Sequence, residues 1–194
     1  MEDTENNMLE RLDDLMLRAK KQGADGADAV YVHGVSLSTS QRMGQPEHLE
    51  RAEGADIGLR ILIGKRQAIA STSNISDPAL DELLDRALAM AKVVPEDEFC
   101  GLAPEDLLAG DTPELDEADT TQPSAKTLND LAVRAESAAL AVNGVNNSEG
   151  GDAGWSRSLV ALVASNGFSR ARVRTGFSLG IAVLAGEGTA MERD

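Results

Sequence analysis

The sequence predicts an α+β fold, with antiparallel or mixed sheets packed against about three helices. Two modules, 1–94 and 123–194, are expected on either side of an acidic linker over 95–122. Three observations carry this prediction. Apolar residues recur at three- and four-residue spacing in three stretches, as buried helix faces require. Between those stretches lie runs with period-two alternation, the mark of strands. One proline-bearing stretch then concentrates the negative charge and lacks either period.

The first helix is expected from Glu5 to Lys21, with Met8, Leu12, Leu15 and Ala19 inward and Gly23 as its stop. A strand from Asp28 to Ser40 follows. Val30 and Val32 share one face, Val35 and Leu37 the other, and a bulge at Gly34 accounts for the change. Ala55–Ile63 and Arg66–Thr72 form a hairpin turned at Gly64-Lys65, with Ile57, Leu59, Ile61 and Ile63 on one face. Ser76-Asp77-Pro78 opens a second helix, offering cap oxygens and a proline for the first turn. Its inward stripe is Leu80, Leu83, Leu84, Ala87, Leu88 and Ala91.

The linker carries Pro95, Pro104 and Pro113, with a short turn expected at Pro104–Leu108. No Lys or Arg occurs between Lys92 and Lys126, whereas ten acids do, out of a net charge of −15. A third helix is expected over 123–142, with Leu128, Leu131, Ala135 and Ala138 inward, followed by a loop from Asn143 to Gly154. Leu159–Ala164 is a continuous apolar run that suits a strand covered on both faces. Asn166-Gly167 signals a hairpin, its return strand is Phe168–Thr175, and a further strand carries Phe177, Leu179, Ile181 and Val183.

Composition excludes several functions. Hydrophobic residues make up 42% and aromatics 3%, so the core is built from aliphatic side chains. No apolar run approaches the roughly 20 residues of a membrane span. The acidic N-terminus lacks the features of a secretory signal, and the single cysteine suits a reducing compartment, so the cytoplasm is expected. The charge argues against direct nucleic-acid binding, which needs a basic face.

Motifs for chemistry are tested in turn. His33 and His48 are too far apart for a zinc pair, and no Cys-x-x-Cys or His-Glu-x-x-His spacing exists. They read as a strand histidine and a loop histidine. Gly58–Arg66 imitates a phosphate loop, but five residues separate its glycines and Arg66 stands where a hydroxyl is needed. Cys100 sits among Glu96, Asp97 and Glu98, which oppose a thiolate, and no nucleophile elbow frames a serine. No catalytic residue, metal ligand or cofactor site is assigned to this span. One constellation stands out. Arg170, Arg172 and Arg174 alternate on one strand face, roughly 6.6–6.8 Å apart along it. They suit carboxylates of a peptide, a partner or this chain's own acidic segment; the plainer reading is a solvated face with weak ion pairs. The loop Asn146–Gly151 reads as turn chemistry.

Three blocks resemble the PmbA/TldD family, known as modulators of DNA gyrase. They are Glu53–Ser73 running into Asp77-Pro78-Ala79-Leu80, then Ala135–Leu140 leading to Asn147-Ser148-Glu149-Gly150, and Ser165–Phe168 followed by Met191-Glu192-Arg193-Asp194. The Glu136-x-Ala138-Ala139-Leu140 and Met191-x-Arg193-Asp194 patterns are more similar to the PmbA (TldE) branch than to TldD. The resemblance implies the N-terminal portion of a longer, non-catalytic subunit, paired in the cytoplasm with a TldD-type sister subunit. That sister would hold zinc through a His-Glu-x-x-x-His motif, and the pair would cleave unfolded peptides. Two alternatives stay open: a stand-alone peptide-binding or regulatory protein, and a full-length chain that is itself a TldD-type zinc peptidase.

Overall fold

The structure is a computed structural model describing residues 2–110, 113 and 115–194; the expected linker's Asp111 and Glu114 lie outside the described residues. It is α+β, with α1 (Glu2–Lys21), α2 (Asp77–Ala91), α3 (Ala125–Leu140) and one six-stranded antiparallel sheet. The strands are β1 (Gly26–Arg42), β2 (Gln45–Ile63), β3 (Arg66–Thr72), β4 (Val145–Ala164), β5 (Ser169–Ala185) and β6 (Glu192–Arg193), in the order β3-β2-β1-β4-β5-β6. Short 3-10 turns occupy Glu105–Leu107, inside the expected turn, and Gly188–Ala190.

Two compact units result, each assembled from three stretches of the sequence. The first comprises 1–33, 54–115 and 158–173; the second comprises 34–53, 116–157 and 174–194. The strands β1, β2, β4 and β5 each run 17 to 20 residues and contribute to both units. A composition shift marks a change in chain character, but only long-range strand pairing decides which segments share a core.

In the first unit, α1 and α2 cover one face of the sheet. Met8, Leu12, Leu15 and Ala19 pack with Leu80, Leu83, Leu84, Ala87, Leu88 and Ala91 against Ala27, Ala29, Tyr31, Ile57, Leu59, Ile61, Leu159, Ala161 and Val163. Both helical stripes are those the apolar spacing predicts. Gly23, at φ 99°, ends α1, with the Ala24 N–H returning to the Ala19 carbonyl as a left-handed cap residue allows. Ser76 is the N-cap of α2, yet its hydroxyl makes no cap bond. The expected β2–β3 hairpin is present, with Ile63 facing Arg66 across Gly64-Lys65.

Several strands differ from expectation. β1 is unbroken at Gly34, and odd positions are buried on both sides of it: Ala27, Ala29 and Tyr31, then Leu37, Thr39 and Gln41. Val30 and Val32 lie on the opposite face, so no bulge is needed. β4 buries one face fully and the other only in part, with Val160 and Leu162 left exposed. β4 begins at Val145 and absorbs the expected Asn143–Gly154 loop, while β5 continues through Gly176 as one strand. His48 lies in β2 rather than in a loop. The Asn166-Gly167 hairpin closes on three residues: the Ala164 N–H bonds the Phe168 carbonyl, and Gly167 sits at φ 96°, the left-handed position of a bulged turn.

The first part of the acidic stretch is docked within the first unit. The Asp97 N–H donates to the Lys65 carbonyl, Lys65 Nζ to the Glu98 carbonyl and Asn166 Nδ2 to the Ala103 carbonyl. Leu102 approaches Gly26 so closely that a Cβ there would stand 3.3 Å from its Cδ1. In the second unit, Leu128 and Ala132 of α3 pack on Leu37, Ala153 and Trp155. Leu131 is half-buried and Ala138 is exposed, so the inward stripe is Leu128, Ala132 and Glu136.

Candidate functional site

Arg170, Arg172 and Arg174 are exposed, alternating with half-buried Ala171, Val173 and Thr175 as the sequence predicts. Arg170 and Arg172 belong to the first unit and Arg174 to the second. Arg170 stands 5.9 Å from the Phe168 ring centre and donates to the Ser169 and Gly110 carbonyls. Its bond to Gly110 is to backbone and ties β5 to the docked acidic segment.

Below that segment lies a pocket of 330 Å³ in the first unit, walled by Leu102, Leu107, Leu108, Leu162 and Phe168. Its polar wall is Asp28 paired with Arg60, whose Nε donates at 2.8 Å and whose second guanidinium nitrogen also bonds the same carboxylate oxygen. Both are half-buried, on the strand face opposite the helices by the period-two rule. The pair is satisfied internally, and the one other polar side chain of the wall, Asn166, is spent on the Ala103 carbonyl.

The sequence reading missed a buried carboxylate in the second unit. Glu136, 3% exposed, sits where α3 faces the turn between β1 and β2. That turn is Met43-Gly44, with φ of 49° and 74°, the two-residue geometry that matches strand twist. Oε1 accepts from the Met43 N–H at 2.8 Å, and Oε2 from the Gly44 N–H at 3.1 Å and Gln41 Nε2 at 2.7 Å. Burial pushes the carboxyl up, but hydrogen bonds from the Ser148 hydroxyl, both N–H groups and Gln41 outweigh it. The net effect holds the Glu136 pKa below the ordinary glutamate range.

The neighbouring glycines are required by this packing. A Cβ on Gly151 would stand 2.8 Å from the Ala132 carbonyl oxygen, and one on Gly150 3.0 Å from that of Gln41. Gly150, at φ 118°, also donates its N–H to Ser148 Oγ. Two blocks quoted from the sequence, Ala135–Leu140 and Asn147–Gly150, therefore meet at one buried carboxylate. The signal available beforehand was an acid four residues past Ala132 on the apolar stripe.

The residues weighed for metal chemistry are dispersed. His33 stacks on Tyr31 at 6.5 Å between ring centres, His48 pairs with Glu50, and Cys100 is buried. Among the described residues, no group of three potential ligands converges on a metal position.

Comparison with known proteins agrees with the block pattern. PmbA/TldA metallopeptidase domain 1 matches residues 27–91, and the PmbA/TldA metallopeptidase central domain matches residues 118–194. The Metalloprotease PmbA homolog of Haemophilus influenzae is 30% identical over 177 residues, 91% of this chain and 39% of its own. Metalloprotease PmbA of Escherichia coli O157:H7 is 30% identical over 193 residues, 99% of this chain and 43% of its own. The chain thus spans about two fifths of the length of these relatives. A proposed modulator of DNA gyrase from Bacteroides thetaiotaomicron superposes with a TM-score of 0.84 at 22% identity, covering 97% of this chain and 43% of that one. TldE from Thermococcus kodakarensis gives 0.80 at 18% identity, covering 92% and 40%; these two likenesses establish the fold. With both family domains matched in order along one chain, the protein belongs to the PmbA/TldD metallopeptidase family.

Proposed function

We propose that the chain forms the first and central domains of a PmbA-type subunit, non-catalytic itself, that assembles with a zinc-bearing TldD-type sister to cleave unfolded peptides in the cytoplasm. The observation that carries this reading is the likeness to PmbA relatives along nearly the whole chain, in the order of both family domains. In this reading the span supplies a rigid sheet and a face for partner or substrate, and zinc belongs to the sister subunit. The exposed arginines of β5 are the proposed contacts for carboxylates. The charge of −15 favours protein partners over nucleic acid.

The test is association. A full-length PmbA-type protein carrying this sequence, mixed with the TldD-type protein of the same cell, should sediment as one complex. Separate sedimentation at micromolar concentrations of both would overturn the two-subunit reading.

A further inference from the structure

The outer side of β2 is open in the second unit. The register of β3 on β2 begins at Ile57, so among the described residues no strand pairs β2 upstream of it on that side. Residues 45–54 are all exposed although they are strand. Backbone donors and acceptors on such an edge are a template for another strand. Next to the edge, over the face of β1 and β2, lies a groove of 410 Å³, walled by Thr39 of β1, by Pro46, His48 and Leu49 of β2 and by Ala125, Lys126 and Asn129 at the start of α3. The edge is held in place from behind: Thr39 Oγ1 donates to the His48 carbonyl, and the Glu136 carboxylate fixes the adjoining turn.

Charge selects the occupant. This segment carries Glu47, Glu50 and Glu53 against one arginine, Arg51. Glu50 is engaged by His48 and Glu53 by Arg51, while Glu47 lines the groove. Two copies of this edge would set glutamates against glutamates, which disfavours self-pairing. Pro46 removes one donor, a further device against indiscriminate pairing. An incoming strand bearing Lys or Arg meets complementary glutamates, the one lysine of the groove wall, Lys126, being paired with Asp130, and an apolar side chain beside those cations fills the groove next to Leu49. We propose that the β2 edge and the α3 groove together bind an extended, basic segment of a partner protein, added as a strand with one apolar side chain in the groove. The proposal stands on the second unit's geometry and is independent of the two-subunit reading.

The probe is the peptide acetyl-Lys-Val-Lys-Leu-Lys-Val-Lys-amide, with a counterpart methylated on alternate backbone nitrogens, which keeps the charge and loses the strand hydrogen bonds. Hydrogen exchange of the protein should slow across 45–53 when the first peptide is added. Binding should fall at least tenfold for the methylated peptide and for the exposed-site variants Leu49→Asp and Glu47→Lys, whose circular dichroism should match the parent. Three results overturn the proposal: no protection at 45–53, equal binding of the methylated peptide, or protection at 45–53 that grows with protein concentration alone. The last would assign the edge to a second copy.

Discussion

Glu136 shows how one side chain can tie three parts of a unit together. Its carboxylate satisfies two turn N–H groups that would otherwise face a helix without partners, and Gln41 and Ser148 complete its shell. Replacing it by Gln puts an amide opposite donors. Glu136→Gln should therefore cost about 2–4 kcal/mol in urea denaturation, since buried groups left unpaired each carry a penalty. The pH dependence has a definite sign. A carboxyl whose folded pKa is lowered stabilises fully above its unfolded value, and loses that contribution as pH falls through the folded value. The gap between parent and Glu136→Gln should shrink on acidification; a gap constant from neutral to strongly acidic pH would contradict the assignment. Gly151→Ala should cost about 1–3 kcal/mol, because the new methyl meets the Ala132 carbonyl and one of the two elements must shift.

Among the elements, legibility followed period. The stripes of α1 and α2 are legible from spacing because aliphatic residues at three and four apart put one apolar face on a helix. The β2–β3 hairpin was legible because Ile57, Leu59 and Ile61 alternate up to Gly64-Lys65. Asn143–Gly154 misled because Asn, Gly and Ser normally turn a chain. Here Gly151 admits the backbone close to α3, and Ser148 is buried against Glu136, so tertiary contacts override local preference. The same limit hid the Glu136 cluster, whose donors come from positions 92 to 95 residues away in sequence. Gly167→Ala tests the turn geometry: at φ 96° it should cost about 1 kcal/mol. Leu84→Ala, at a fully buried site, should cost about 2–5 kcal/mol. Thermal or urea unfolding of each variant reads these differences directly, and a neutral Leu84→Ala would contradict the placement of α2 over the sheet.

At the scale of the whole molecule, the domain organisation combines sequence order with long strands shared between units. The acidic stretch breaks the composition at 95–122, and one boundary between the compact units, 115/116, falls inside it, while the others cut the long strands. The family domains at 27–91 and 118–194 follow the sequence order instead. The arginines of β5 were legible as an alternating set because strand period alone places them, while the Arg170 bond to the Gly110 carbonyl depends on how the acidic segment docks. Changing Arg170, Arg172 and Arg174 together to Ala should weaken association or peptide cleavage at least tenfold and leave circular dichroism unchanged. Unaltered assembly and activity would reduce the row to a solvated face.

Cleavage of an unfolded peptide is the test of the accessory role. The TldD-type sister is assayed alone and after mixing with the full-length PmbA-type protein carrying this sequence, with and without a chelator. Chelator-sensitive cleavage that appears only on mixing is the expected result. Equal cleavage by the sister alone would contradict it and leave this chain a binding or regulatory protein.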